Sequence, residues 1–299
     1  MTFETQRVIP PRSRSARMEN WGRGFYRFRQ SWLSMVGLAI VVMLVLVAIL
    51  APYIVPHYEH ALGGTNTAAR FQPPSAQAWF GTNELGQDIF SLVLVGSQVS
   101  LFSGLAVVFI AIVVGTTVGA IAGYFGGWID EVLMRITDLL LTIPSLILAM
   151  AVAAALGSGV LNMIVAISTT WWPAYARLVR GEVIGKKEEQ FVVAAHALGA
   201  GWARILGRHI LPNIVSPIVV KASLDMGFAI LTVASLGFVG IGVKPPTPEW
   251  GTLLSGARSY MPDYWWTAVA PGMAIFLAVL AFNLLGDGLR DVLDPKARR

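Results

Sequence analysis

Polar and apolar residues are segregated along this chain on a scale set by a lipid bilayer. Six runs are apolar with few charges: Leu33 to Val55, Val99 to Tyr124, Val132 to Leu156, Val160 to Ala176, Ser216 to Val243 and Trp266 to Leu285. About 20 helical residues, rising 1.5 Å each, cross a hydrocarbon core of about 30 Å. The first run is longer than the apolar region of a signal peptide, and Pro52 after Ala51 makes a poor cleavage site, so it reads as retained. The fourth run is the shortest and ends in Trp171–Trp172–Pro173, aromatic residues suited to the membrane interface. These runs predict an all-α membrane protein with six transmembrane helices.

The connections fix an expected orientation. Seven arginines (7, 12, 14, 17, 23, 27 and 29) precede the first run. Arg177, Arg180, Lys186, Lys187, Arg204 and Arg208 lie between the fourth and fifth runs, and Arg290, Lys296, Arg298 and Arg299 follow the sixth. The alternate connections carry only Arg70, Lys244 and Arg258. Basic residues accumulate on the cytoplasmic side, so both termini are expected there and the number of crossings is expected to be even. The net charge of +5 and pI of about 9.7 then reflect membrane orientation and not nucleic-acid binding.

Composition agrees. The chain is 55% hydrophobic and 13% charged, where a soluble domain carries about 25% charged residues. It has no cysteine, which excludes disulfides, cysteine zinc sites and thiol catalysis. The expected organisation is an Arg-rich cytoplasmic tail over 1–31, a first transmembrane helix and external loop over 32–98, a core transmembrane domain over 99–290 and a short cytoplasmic tail over 291–299.

Chemistry inside the runs is sparse. Asp138, Lys221 and Asp225 are the ionisable residues noted there. Lys221 and Asp225 are four apart and share a helix face, either as a functional intramembrane pair or as a structural one near the interface. All four histidines fall outside the runs, and neither a G-x-S-x-G nucleophile motif nor a P-loop is present, so no enzyme activity and no ATP hydrolysis is expected of this chain. Gly115, Gly119 and Gly123 form a small-residue stripe, fit for a subunit interface or for packing within the chain. Gly237, Gly240 and Gly242 mimic part of a dinucleotide fingerprint but lie in an apolar run, so the match is discarded. Pro144, Pro173, Pro217 and Pro271 are expected to bend helices. His57, Glu59 and His60 read as a solvated loop in preference to a metal site.

The connection from Arg177 to Pro212 is informative. Glu188 and Glu189 suit a helix start, Ala194, Ala195 and Ala197 favour helix, and Gly199 permits a sharp turn before a second short helix running to Ile210. A helix with so small a surface suits docking into a groove on a partner; the alternative from the residues alone is a helix lying on the membrane surface.

Val193–Ala194–Ala195, then Gly199, then Leu211–Pro212 resembles the cytoplasmic E-A-A loop of the permeases of binding-protein-dependent ABC importers. Val193 stands where that family usually has Glu, and His209 where it often has Ile. FGTNELGQDIFSLVLVGSQVSL from Phe80, TDLLLTIPSLILA from Thr137, SLGFVGIGVKPPTPEWGTLL from Ser235 and FNLLGDGLRDVLDP from Phe282 are similar, in family order, to the C-type permease of the dipeptide, oligopeptide and nickel subfamily. The resemblance implies a type I ABC importer permease fold with a coupling helix. It implies a second permease, two cytoplasmic ATPases holding the ATP and magnesium, and an external solute-binding protein as partners in the bacterial inner membrane. No cofactor is implied in this chain. Phe191, Ala194, Ala195, Gly199, Leu211 and Pro212 would couple to an ATPase. Pro245, Pro246, Pro248 and Trp250 would gate or dock the binding protein, or form a rigid turn. The cargo implied is a di- or oligopeptide, with nickel or glutathione as alternatives. A stand-alone secondary transporter or channel is the alternative of another class.

Overall fold

The structure is a computed structural model that describes residues 26 and 28–293. The expectations for most of the Arg-rich tail, and for the last six residues with Lys296, Arg298 and Arg299, lie outside the described residues.

Helix dominates throughout. α1 (Trp32–Ile54) starts at Ser31, whose side chain accepts from the Ser34 amide. α2 (Ile89–Phe125) is 37 residues long and begins ten residues before the expected span, because the Asp88 carboxylate caps it by accepting from the Ser91 amide at 3.0 Å. α3 (Gly127–Thr142) and α4 (Ser145–Leu156) follow. α5 (Val160–Lys187), α6 (Gln190–Ala197), α7 (Val215–Val239), α8 (Trp250–Ala257) and α9 (Trp266–Leu293) complete the order.

Two expectations need correcting. The run Val132 to Leu156 is not one straight span: α3 and α4 meet at 93°. Ile143 is extended (φ −90°, ψ 131°), the conformation that the following Pro144 ring imposes, and Pro144 has no amide to continue the ladder. α5 also continues eleven residues beyond the expected end at Ala176, so Arg177 and Arg180 sit on a helix and not in a loop. Among the described residues, α1, α2, α7 and α9 are long and apolar enough to cross a membrane, and the bent α3–α4 pair makes a fifth crossing if it acts as one span, against the six expected. α5 falls short because it mixes Asn162, Ser168, Thr169 and Thr170 with charges beyond Ala176.

That polarity reflects the place of α5 in the bundle. Ala166, Ile167, Tyr175, Ala176, Val179 and Val183 are all fully buried, so protein covers α5 where lipid would cover a peripheral helix. Its hydroxyls turn back on its own carbonyls, Ser168 to Ile164 at 2.7 Å and Thr170 to Ile167 at 2.8 Å. α2 crosses α5 along the glycine stripe. A Cβ at Gly115 would lie 2.4 Å from Tyr175 Cβ, one at Gly119 2.4 Å from the Ala176 carbonyl oxygen, and one at Gly123 2.9 Å from that of Arg180. The stripe therefore serves packing within this chain.

α3 is held to α5 by two ion pairs. Arg180 forks both oxygens of Asp130, the second at 2.6 Å, and Arg177 Nη2 meets Asp138 at 2.6 Å. Asp138 is half exposed, so it is a partner of Arg177 and not a charge buried in lipid.

The connection between α1 and α2 is ordered. Gln87 Nε2 donates to the carbonyls of His60 and Gly64 at 3.1 and 2.9 Å. His60 Nδ1 accepts the Asp88 amide at 3.0 Å, and burial pushes its imidazole below the ordinary value, consistent with a neutral ring used as an acceptor. The Phe71 ring stacks on Tyr264 at 4.0 Å, tying this connection to the one between α7 and α9.

Replacing Gly119 by Val should cost about 1–3 kcal/mol through overpacking against the Ala176 backbone. Gly181→Ala, on α5 with nothing near its absent Cβ, should be neutral or gain up to about 1 kcal/mol. Thermal unfolding in detergent measures both; equal effects at the two positions would contradict the packing described.

Candidate functional site

The connection between α5 and α7 is built as a short exposed helix on an apolar footing. α6 begins at Glu189, whose carbonyl accepts the amides of Val192 and Val193 at 2.8 and 3.1 Å. It ends in a complete Schellman closure: the Gly199 amide donates to His196 at 2.9 Å and the Ala200 amide to Ala195 at 3.1 Å. Gly199 has φ +79°, the left-handed conformation this closure requires, and its absent Cβ would have no neighbour within 4 Å. The demand for glycine here comes from the backbone and not from crowding within the chain.

After α6 the expected second short helix is present and runs to Ile210, but most of it is π-helical in place of α. One α-turn, Trp202–Arg204, leads into wide π-type turns over Ile205–Ile210 and a 3-10 turn, Leu211–Asn213, that contains Pro212. Val192, Ile205, Leu206, Ile210 and Ile214 are buried together against Val179 and Val183 of α5 and Ala120 of α2, with Leu211 packed on their edge. Trp202 lies 5.6 Å from Phe125 at the end of α2. Lys187 Nζ donates to the Tyr124 carbonyl at 2.6 Å, joining the ends of α2 and α5.

The outer side of this segment is apolar where solvent exposure would favour polar residues. Leu198 is 89% exposed, Val193 57% and Phe191 39%, and Ala194 is exposed between them. The structure thus brings Phe191, Ala194 and Gly199 onto one free surface with Leu198, leaves Ala195 half-buried beneath it, and sets Leu211 and Pro212 in the return to α7. Leu198 escaped the sequence analysis; its signal was a large apolar residue directly before the helix-ending glycine.

The Pro245–Trp250 segment divides in two. Pro245 and Pro246 are exposed and line a cleft of about 380 Å³ with Gly63, Glu84 and Leu85. Pro248 and Trp250 are buried. Trp250 Nε1 donates to the Val93 carbonyl at 2.8 Å, and its amide to Ser100 Oγ at 3.2 Å. Glu249, not singled out from sequence, is fully buried beside it. Its carboxylate accepts the amides of Gly251 and Thr252 at 2.9 Å each, capping α8, and the Ser100 hydroxyl at 3.1 Å. Burial pushes the Glu249 carboxyl above its ordinary value, against the opposing pull of those donors.

The third candidate is the pair on α7. Lys221 Nζ meets Asp225 Oδ2 at 3.0 Å, and the ammonium lies 5.0 Å from the centroid of the Tyr175 ring. No group of three or more metal-ligating side chains occurs among the described residues.

Residues 115–299 match the family described as binding-protein-dependent transport system inner membrane component, and residues 20–74 match the N-terminal TM domain of oligopeptide transport permease C. A dipeptide transport system permease protein of Alkalihalophilus pseudofirmus is 44% identical over 289 residues, 97% of this chain and 94% of the relative. A probable D,D-dipeptide transport system permease protein of Escherichia coli K12 is 44% identical, covering 93% of this chain and 92% of the relative. A glutathione transport system permease protein of Escherichia coli O6:K15:H31 is 47% identical over 93% of this chain and 91% of the relative.

Two predictions test these sites. Gly199→Ala should strain the α6 closure by about 1–2 kcal/mol, and Gly199→Asn by less, read as faster amide exchange over 190–200. Because the folded chain holds the Glu249 proton more tightly than the unfolded chain, this group's contribution to stability is full below the ordinary value of 4.5 and falls as pH rises through the raised one. Melting temperature should therefore decline over that window, and Glu249→Gln should flatten the decline.

Proposed function

The chain belongs to the family of binding-protein-dependent transport system inner membrane components, as a permease subunit of an ABC importer, and we propose that its cargo is a short peptide. It is a multi-pass membrane protein that conducts and does not itself catalyse. A stand-alone secondary transporter is thereby set aside.

The remaining parts of the reading are ours. The chain pairs with a second, homologous permease. Two ATPases bind at the basic end, which faces the cytoplasm together with both termini, and an external binding protein delivers the cargo at the opposite end. Residues 99–290 act as the conducting core, and α1 with the connection after it, within 32–98, as a peripheral module. α6 seats in a groove on one ATPase. The observation that carries this is the exposed apolar surface of Phe191, Val193, Ala194 and Leu198 on a helix fixed to α5 and α2 from behind. Exposed apolar surface of this kind marks a protein contact. Val193 in place of the family's usual Glu makes that contact apolar. Closing of the ATPases would push on α6, and the buried residues behind it would pass the motion to α5 and α2 as a rigid unit. At the other end Pro245 and Pro246 offer the exposed rim for a binding protein, while Trp250 and Pro248 anchor it. Peptide is the preferred cargo because two of the relatives carry dipeptide names; the tripeptide glutathione, named for the third, is the second reading.

In proteoliposomes holding the complete complex, labelled dipeptide should enter only with ATP and binding protein. Leu198→Glu and Ala194→Tyr, both on the exposed side, should leave the stability to thermal unfolding within about 1 kcal/mol of the parent while abolishing uptake and retention of the ATPases. Uptake that persists in both variants would refute α6 as the coupling helix, and uptake of glutathione alone would select the second reading.

A further inference from the structure

α7 is apolar in composition, yet its polar residues are not scattered. At 100° per residue, Lys221, Asp225, Thr232 and Ser235 fall within an arc of about 80°, together with Phe228. All four polar residues are half-buried and Phe228 is 58% exposed, so the arc is open to whatever lies beside the chain. Thr232 and Ser235 turn their hydroxyls onto their own helix, at the carbonyls of Phe228 and Leu231 (2.8 and 2.7 Å), and bond to no neighbouring helix.

The ion pair makes this arc costly to leave against lipid. Asp225 lies ten residues into α7, about 15 Å along its axis, which is mid-depth for a helix of this length. Lys221 does not snorkel toward the near end of the helix. Its ammonium reaches inward to Asp225, against the usual lean of helical side chains toward the N-terminus and in the less favourable order for an i, i+4 pair. Beside Asp225 stands a third group, Tyr175 of α5. Its side chain is fully buried, and its hydroxyl lies against the Asp225 carboxylate without a well-formed hydrogen bond. A buried hydroxyl held so weakly is costly, and it marks a place that another state of the protein or a ligand completes.

We propose that this arc of α7 is a wall of the water-filled translocation path, and that Lys221, Asp225 and Tyr175 form a station on it for the charged termini of a zwitterionic peptide. The assignment rests on the peptide reading above. The cargo carboxylate accepts from the Lys221 ammonium while its own ammonium donates to Asp225, so one internal ion pair is exchanged for two with the cargo. The Tyr175 hydroxyl donates to whichever carboxylate is left short of a partner. Exchange of this kind keeps binding weak enough for release, since forming the two new contacts requires breaking the internal pair and dehydrating both cargo termini.

The test uses the complete complex in proteoliposomes, with initial uptake of a labelled dipeptide, its C-terminal amide and its N-acetyl form. Each rate is expressed relative to the unsubstituted complex with the same cargo, which removes any preference of the binding protein. Lys221→Met should slow the free and N-acetyl peptides at least tenfold and the amide less than threefold. Asp225→Asn should slow the free peptide and the amide at least tenfold and spare the N-acetyl form, and Tyr175→Phe should follow it more weakly. A fall of equal size for all three cargoes, or no fall, overturns the station. A second measurement needs no transport. The chain is naturally free of cysteine, so Thr232→Cys or Ser235→Cys carries the only thiol in it. Both should react with a charged, membrane-impermeant thiosulfonate at least tenfold faster than Leu46→Cys on the exposed face of α1. Equal rates overturn the water-lined wall. Absence of ATP-driven dipeptide uptake by the unsubstituted complex defeats the peptide reading and with it the station's ligand, while the labelling rates decide the wall in either case.

Discussion

The close crossing of α2 and α5 is the constraint on which the other features rest. Three glycines at spacing four let the two backbones meet where any side chain would collide with Tyr175, Ala176 or Arg180. In lipid there is little hydrophobic gain from joining two helices, so close van der Waals contact of this type is what holds them. Once α5 is fixed against α2 it becomes the axis of the bundle. It presents Tyr175 toward α7, Arg177 and Arg180 toward α3, and Val179 and Val183 to the footing of α6. A small change in that crossing would be felt at all three places together.

The two ends of the bundle hold their exposed surfaces by different physics. At the basic end the footing is apolar: five buried aliphatic residues of the connection grip α5 and α2, and α6 stands on them. At the other end the anchor is polar. Glu249 gathers two amides and the Ser100 hydroxyl while Trp250 ties back to Val93, and the exposed prolines project from that knot. A buried carboxylate with all its partners in place fixes geometry strongly, because misplacing any partner leaves a charge unsatisfied.

Much of this was legible in the sequence. Helix content, four of the spans, the connection bearing α6 and the turn at Gly199 all follow from periodicity, run length and the needs of helix ends. The bend at Pro144 was legible in kind but not in size, since pre-proline sterics fix the conformation of Ile143 while the resulting angle depends on what α3 packs against. The early start of α2 was missed because Asp88 acts as a cap only with its carboxylate turned to Ser91, a local geometry that composition hides. Residues of α5 beyond Ala176 read as loop because charge counted against a span. Their partners, Asp130 and Asp138, lie about fifty and forty positions away, and nothing local announces them. Glu249 was invisible for a similar reason, as one acid in a proline-rich stretch looks solvated until its donors are seen.

α2 runs unbroken for 37 residues, about 55 Å, which exceeds the hydrocarbon thickness by nearly half its own length. One rod therefore carries the Val93 and Ser100 anchors near one end and the Tyr124–Phe125 seat of the α6 segment at the other. Such a rod is a lever arm. A rotation of about 6° about its anchored end displaces the far end by roughly one helical turn, some 5 Å. A single unbroken helix thereby joins the two ends of the bundle, so a displacement imposed at one end would be carried to the other without passing through a loop.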